Sequence, residues 1–114
     1  MEKLLIVDDD RGALECLQEL LQTEDRFIVT ATNGKKALDC LKEIPPPRLI
    51  LLDLTMPEMD GWEFLSRLRT DPAISHIPTI IVSGTASAVP DGAVDLLGKP
   101  VDLDRLRALV GQYC

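Results

Sequence analysis

The sequence has few of the residues from which disulfide frameworks and zinc sites are built. Its 114 residues include only three cysteines and one histidine. The cysteines are odd in number, widely spaced and not grouped with histidine, so neither a disulfide framework nor a zinc site is expected. We expect Cys16, Cys40 and Cys114 to be passive reduced thiols.

Long apolar runs and an excess of positive charge are also absent. No run approaches the ~20 apolar residues that span a bilayer, and the apolar stretch after Lys3 is too short for the core of a signal peptide. We therefore expect a cytoplasmic protein that makes no membrane contact. Nineteen acidic and twelve basic residues give a net charge of −7, which repels nucleic-acid phosphates, so direct nucleic-acid binding is not expected.

The composition that remains is that of one globular domain. Hydrophobic residues make up 46% of the chain and charged residues 27%, and a chain of this length can build one sizeable core. The sequence has no internal repeat, low-complexity tract or interdomain linker. Residues 1–114 are therefore predicted to form a single domain.

Five short apolar runs alternate with helical patterns. Most of the runs are nearly continuous, which is typical of strands covered on both faces of a parallel sheet; they occupy residues 4–7, 27–31, 49–52, 79–82 and 94–97. Between and after them, apolar residues recur at the three-to-four spacing of amphipathic helices. This alternation predicts right-handed βαβ units and an α/β fold, a (βα)5 doubly wound five-stranded parallel sheet with the flavodoxin-like order 2-1-3-4-5.

The connection before the last strand is unusually short. Only the ten residues 84–93 separate Ser83 from the fifth apolar run, and a parallel crossover needs about ten to twelve residues including its helix. Within it, Pro90-Asp91-Gly92 cannot continue a helix. A shortened fourth helix, confined to about residues 85–89, is therefore predicted.

Four of the five predicted strands end in polar or charged residues. Ligands of such sheets collect at the carboxyl ends of the strands, where the sequence has Asp8-Asp9-Asp10, Asp53, Ser83 and Lys99. Because neighbouring strands lie ~4.8 Å apart, Asp9 and Asp53 should be close enough to share one ion. Oxygen ligands without histidine or cysteine favour Mg²⁺ or Mn²⁺.

The long side chain of Lys99 should reach the same position. Its strand lies two strands, or ~10 Å, from that of Asp53. A carboxylate nucleophile, a divalent cation, a lysine ammonium and the Ser83 hydroxyl around one anion position make a phosphoryl-transfer site.

The sequence resembles the receiver domain of two-component response regulators over essentially the whole chain. The matching segments are LLIVDDD (4–10), LLDLTMPEMDG (51–61), VSG (82–84) and GKP (98–100). The resemblance implies that Asp53 is the phosphoacceptor, and that Ser83 and Lys99 contact the phosphoryl oxygens. It further implies a Mg²⁺ site with Asp9, Asp53 and the Thr55 carbonyl as direct ligands and Asp8 acting through water, and a cis peptide between Lys99 and Pro100.

The resemblance also implies the partners. A sensor histidine kinase or a histidine phosphotransfer protein would supply the phosphoryl group, and a downstream output protein or domain would respond to it. Such a domain catalyses only its own phosphorylation and dephosphorylation, so a metabolic enzyme is not predicted. The chain departs from the family where Leu96 stands in place of an aromatic residue three positions before the lysine, and in its short crossover before the fifth strand.

Two other interpretations of the acidic residues stay open. Asp8-Asp9-Asp10 after an apolar strand also resembles the nucleophile motif of haloacid-dehalogenase-type phosphatases, although those enzymes need a longer chain and this interpretation leaves Asp53 unexplained. A pseudo-receiver would keep the fold but never be phosphorylated. Formation of a Mg²⁺-dependent, base-labile acyl phosphate separates a receiver from a pseudo-receiver, and multiple turnover of a phosphate monoester would indicate the phosphatase.

Overall fold

The computed structural model describes residues 2–56 and 58–114, so Pro57 of the matching segment 51–61 lies outside the described residues, as does Met1. Each predicted strand is present to within two residues of its predicted limits. The elements are, in chain order, β1 (Glu2–Val7), α1 (Arg11–Leu21), β2 (Arg26–Ala31), α2 (Gly34–Glu43), β3 (Leu49–Asp53), α3 (Gly61–Thr70), β4 (Thr79–Ser83), β5 (Asp95–Gly98) and α4 (Leu103–Tyr113).

The strands form one parallel sheet in the order β2-β1-β3-β4-β5, which confirms the predicted fold class. In its register, Val7 pairs with Leu52 and Ser83 pairs with Gly98. The residues that follow these pairs therefore lie side by side where the strands end. We call this side of the sheet the carboxyl-end edge.

Helices cover both faces of the sheet, and this explains the nearly continuous apolar runs. Successive strand residues point to opposite faces, so Leu5 and Val7 pack with Phe64 and the other apolar residues of α2 and α3. Leu4 and Ile6 belong to the second cluster, which is closed by α1 and α4. Every position of β3 and β4 is buried as a result.

Each helix begins at a polar residue whose side chain accepts a backbone N–H from the first turn. These N-caps are Asp10, Asn33, Asp60 and Asp102. Such caps satisfy donors that the first turn leaves without a partner in the helix. None of the helices in the described residues has the length and apolar character needed to cross a membrane.

The prediction of a shortened fourth helix is wrong, because the described residues 84–94 contain no helix. The Val94 N–H already donates to the Thr79 carbonyl at 2.8 Å, so the chain has returned to the sheet after ten residues. Pro90 has no N–H to donate, and Gly92 has a φ of 92°, outside the helical region. The crossover is therefore an irregular strap between β4 and β5, and the fold has four helices among the described residues.

Candidate functional site

Three carboxylates meet at the carboxyl-end edge. One side-chain oxygen each from Asp8, Asp9 and Asp53 lies within 4.8 Å of the other two. Asp8 and Asp53 are buried, whereas Asp9 is exposed. The expected proximity of Asp9 and Asp53 is therefore confirmed. Its cause is the pairing of Val7 with Leu52, which places Asp8-Asp9 next to Asp53, the last residue of β3.

Lys99 reaches this acidic cluster from the edge strand of the sheet. Its Nζ lies 3.5 Å from Asp53 Oδ1 and 3.7 Å from Asp8 Oδ2. The backbone holds the residue in register, since the Lys99 N–H donates to the Ser83 carbonyl at 3.1 Å. The Lys99 to Pro100 peptide is cis. One ammonium group thus lies between the two buried carboxylates.

The surroundings of Asp8 disfavour its ionised form. Burial raises the pKa of this carboxyl, and the negative charges of Asp53 and Asp9 act in the same direction. The Asp10 N–H, which donates to Asp8 Oδ1 at 3.0 Å, and the charge of Lys99 lower the pKa, but the net direction is upward. The cluster is therefore short of positive charge even with Lys99 in place.

Ser83 is buried and connects the site with the crossover strap. Its Oγ accepts the N–H groups of Thr85 and Ala86, both at 3.1 Å, and lies 3.3 Å from Thr85 Oγ1. Because the two backbone donors use the acceptor capacity of the hydroxyl, its proton can be donated elsewhere.

The loop that follows Asp53, residues 54–60, is packed tightly at its end. The Gly61 N–H donates to the Leu54 carbonyl at 2.9 Å. A Cβ at Gly61 would lie 2.6 Å from the Asp53 carbonyl oxygen, so only glycine fits there. Thr55 lies in this loop with an exposed side chain.

Sequence reasoning missed a second attachment of this loop. Asn33, a buried residue at the start of α2, donates from Nδ2 to Glu58 Oε2 at 3.4 Å. The available signal was an Asn-Gly pair just after a predicted strand, which indicates a turn or a helix start. The pair says nothing about a partner 25 residues away.

Two recesses differ in their relation to the acidic cluster. One of about 320 Å³ lies beside it, between α1 and the start of α4, and is lined by Asp8 and Lys99 together with apolar residues such as Leu17 and Leu103. A larger one of about 470 Å³ lies between α2 and α3, far from the carboxylates, and contains none of the candidate residues.

The chain matches a protein-family model described as a response regulator receiver domain, over residues 4–111. An uncharacterised 14.6 kDa protein of Leptolyngbya boryana is 38% identical over 117 residues, which cover 97% of this chain and 88% of that protein. Sporulation initiation phosphotransferase F of Bacillus subtilis is 34% identical over 116 residues, 98% of this chain and 93% of that one. Among solved structures, a response regulator from Chloroflexus aurantiacus superposes with a TM-score of 0.87 at 29% identity, covering 98% of this chain and 96% of that chain.

Other curated relatives are longer. This chain spans between 23% and 51% of the length of several of them, at 33% to 35% identity. The matching part is therefore a module that occurs both nearly alone and as a fraction of larger proteins.

Proposed function

Because the chain belongs to the response regulator receiver domain family, we propose that it is a phosphoacceptor switch of a two-component signalling system, with Asp53 as the residue that accepts the phosphoryl group. One observation gives the main support for this proposal. The Asp53 carboxylate is buried at the end of β3, with the Lys99 ammonium 3.5 Å away and two further carboxylates within 4.8 Å.

The donor set fits a hard divalent cation. Its three clustered side chains offer only oxygen atoms, which suits Mg²⁺ or Mn²⁺ and not zinc. In the proposal, Asp9, Asp53 and the Thr55 carbonyl would hold the ion directly and Asp8 would hold it through water. The bound ion would supply positive charge next to the oxygens of the incoming phosphoryl group.

The side chains account for the transfer step. An Asp53 carboxylate oxygen attacks the phosphorus of a phosphohistidine in line, so that an O–P bond forms as the P–N bond breaks. The imidazole nitrogen keeps the electron pair of the broken bond. Lys99 offsets the charge on the phosphoryl oxygens, and the Ser83 hydroxyl donates a hydrogen bond to one of them in place of its contact with Thr85 Oγ1.

The product is an aspartyl phosphate that water hydrolyses, so the domain acts as a timed switch. We propose that residues 1–114 form this receiver domain, in the cytoplasm, and that its donor is a sensor histidine kinase or a histidine phosphotransfer protein. A downstream output protein or domain responds to the phosphorylated state. The domain turns over no substrate other than its own phosphoryl group and is therefore not an enzyme of metabolism.

Phosphorylation by acetyl phosphate with Mg²⁺, followed by intact-mass spectrometry, tests the assignment. We expect Asp53→Asn to abolish the added phosphoryl group, and Asp8→Asn and Asp9→Asn to reduce it. Asp60→Asn is the matched control, because it removes an exposed carboxylate from the same loop while asparagine still caps α3. Wild-type labelling of the Asp53→Asn protein would refute the assignment, and an unlabelled wild type would indicate a pseudo-receiver.

A further inference from the structure

Glu58 has a backbone conformation that residues other than glycine rarely adopt. Its φ is 64°, and it is the one non-glycine residue with positive φ in the described part of the chain. Such a conformation persists only where the surrounding structure holds it. The side chain is exposed, so burial of Glu58 is not the reason.

Contacts with the start of α2 hold this part of the loop. Asn33 Oδ1 accepts the Lys36 N–H at 2.8 Å as the N-cap of α2, which directs its Nδ2 to Glu58 Oε2 at 3.4 Å. The Gly34 N–H donates to the Met59 carbonyl at 3.1 Å. The N-cap and the first residue of α2 thus bind two consecutive residues of the loop.

The approach leaves no room for a side chain at Gly34. A Cβ at Gly34 would lie 2.9 Å from the Met59 carbonyl oxygen. The side chain of Met59 is buried in the cluster that α2 and α3 share. The loop is therefore fixed by α2 in its second half and by Gly61 at its end, and its first residues, which include Thr55, follow Asp53 directly.

We propose that Glu58 is a positioning residue for the divalent cation: through its hydrogen bond with Asn33 it holds loop 54–60 in the form in which the Thr55 carbonyl and Asp53 bind the ion together. The inference rests on the proposed function, because it assumes that the acidic cluster binds a cation. Glu58 itself does not touch the ion.

The donor and acceptor of this hydrogen bond can be exchanged. Asn33→Asp keeps the N-cap, since Asp and Asn are equally good there, but it sets two carboxylates against each other. In Asn33→Asp with Glu58→Gln, the glutamine amide donates to the new aspartate, and the bond is restored with reversed polarity at the wild-type net charge. Glu58→Gln alone keeps an acceptor for Asn33.

Mn²⁺ binding to the purified protein can be measured from the electron paramagnetic resonance signal of free Mn²⁺, and this titration gives the dissociation constant of the ion. We expect Asn33→Asp to raise the dissociation constant about fivefold, which corresponds to the loss of one typical hydrogen bond. The dissociation constant of the double variant should return to within about twofold of the wild-type value. Glu58→Ala, a change of an exposed side chain, should weaken binding as Asn33→Asp does. Thermal denaturation without metal checks that each variant is folded.

Electrostatics alone predict the opposite sign. Asn33→Asp adds a negative charge to the protein, and an added negative charge attracts a cation. Lys36→Gln changes the net charge by the same amount on the exposed first turn of α2 and should leave the affinity unchanged or slightly higher. Binding by Asn33→Asp that equals or exceeds wild type, or a double variant as weak as Asn33→Asp, would overturn the role of Glu58. A wild-type protein that binds no Mn²⁺ would refute both this role and the cation site of the proposed function.

Discussion

Asp9 should destabilise the metal-free protein. The ion pairs of Lys99 go to Asp8 and Asp53, and Asp9 makes no ion pair in the part of the chain that the structure describes. Its charge faces two others within 4.8 Å and contributes to the raised pKa of Asp8. Asp9→Asn keeps the size of the side chain and removes this charge, so we expect it to raise the melting temperature in the absence of divalent ions.

The magnitude follows from the separation of the charges. Two unit charges within 4.8 Å repel by about 1 kcal/mol in water and about 3.5 kcal/mol at an effective dielectric constant of 20. Asp9 is exposed, so the lower value applies, and Lys99 screens part of the repulsion from its neighbours. A gain of about 1 kcal/mol corresponds to about 4 °C in the melting temperature of a domain of this size.

Magnesium at ten times the wild-type Kd should bring the two proteins to nearly equal stability. A ligand that binds only the folded state stabilises it by RT ln(1 + [L]/Kd), about 1.4 kcal/mol at ten times Kd. If Asp9→Asn weakens binding tenfold, the same Mg²⁺ concentration stabilises the variant by only about 0.4 kcal/mol. At about 4 °C per kcal/mol, the melting temperature should rise by about 6 °C for wild type and by about 2 °C for the variant on addition of Mg²⁺.

Differential scanning fluorimetry at low ionic strength measures both effects, and Asp10→Asn is the matched control. Asp10 is the neighbouring exposed carboxylate, it lies outside the acidic cluster, and asparagine caps α1 as well as aspartate does. Equal Mg²⁺-induced shifts in wild type and Asp9→Asn would refute a shared ion. An Asp9→Asn protein no more stable than Asp10→Asn without Mg²⁺ would refute the repulsion.

Three further predictions follow from the same geometry. Gly61→Ala should lower both the melting temperature and the phosphorylation rate, because the new Cβ would lie 2.6 Å from the Asp53 carbonyl oxygen. Gly111→Ala is its control: a Cβ there would have no neighbouring atom within 4 Å, so this variant should be neutral or stabilise the protein by up to about 1 kcal/mol. Equal effects of the two substitutions would contradict the steric argument. The pKa of Asp8 is raised in the folded protein, so its protonated form contributes to stability in full below the ordinary pKa of 3.8, and this contribution is lost as the pH rises through the raised pKa. In urea denaturation of the metal-free protein, wild type should therefore lose stability relative to Asp8→Asn over this pH range. The same pH dependence in both proteins would contradict the raised pKa. Phosphorylation should increase the hydrogen-exchange protection of residues 84–92, and strong protection already present in the unmodified protein would exclude this.

The strands and the strand-end residues were predictable because both are consequences of local pattern. A nearly continuous apolar run such as residues 49–52 has few structural options in a chain of this length, and parallel strands bring their carboxyl ends to one edge. The proximity of Asp9 to Asp53 and the reach of Lys99 follow from strand spacing alone. The contact between Asn33 and Glu58 could not be predicted in this way, because it depends on a φ of 64° at Glu58, and glutamate is not a residue type that indicates a positive φ.

The missing helix has a different cause, and it bears on how a signal would leave the site. The length of the crossover strap leaves room for only about one helical turn, and a single turn is stable only when other parts of the protein pack against it. Only Ala86, Pro90 and Ala93 are even partly buried among residues 84–93, whereas Val89 is exposed, so that support is slight. Ser83 Oγ nevertheless accepts the N–H groups of Thr85 and Ala86 in the strap, and Leu96 has no aromatic ring that could rotate against a helix. A movement of Ser83 toward a phosphoryl group therefore acts on the strap through these two hydrogen bonds, and the change expected at the surface is an ordering of residues 84–92.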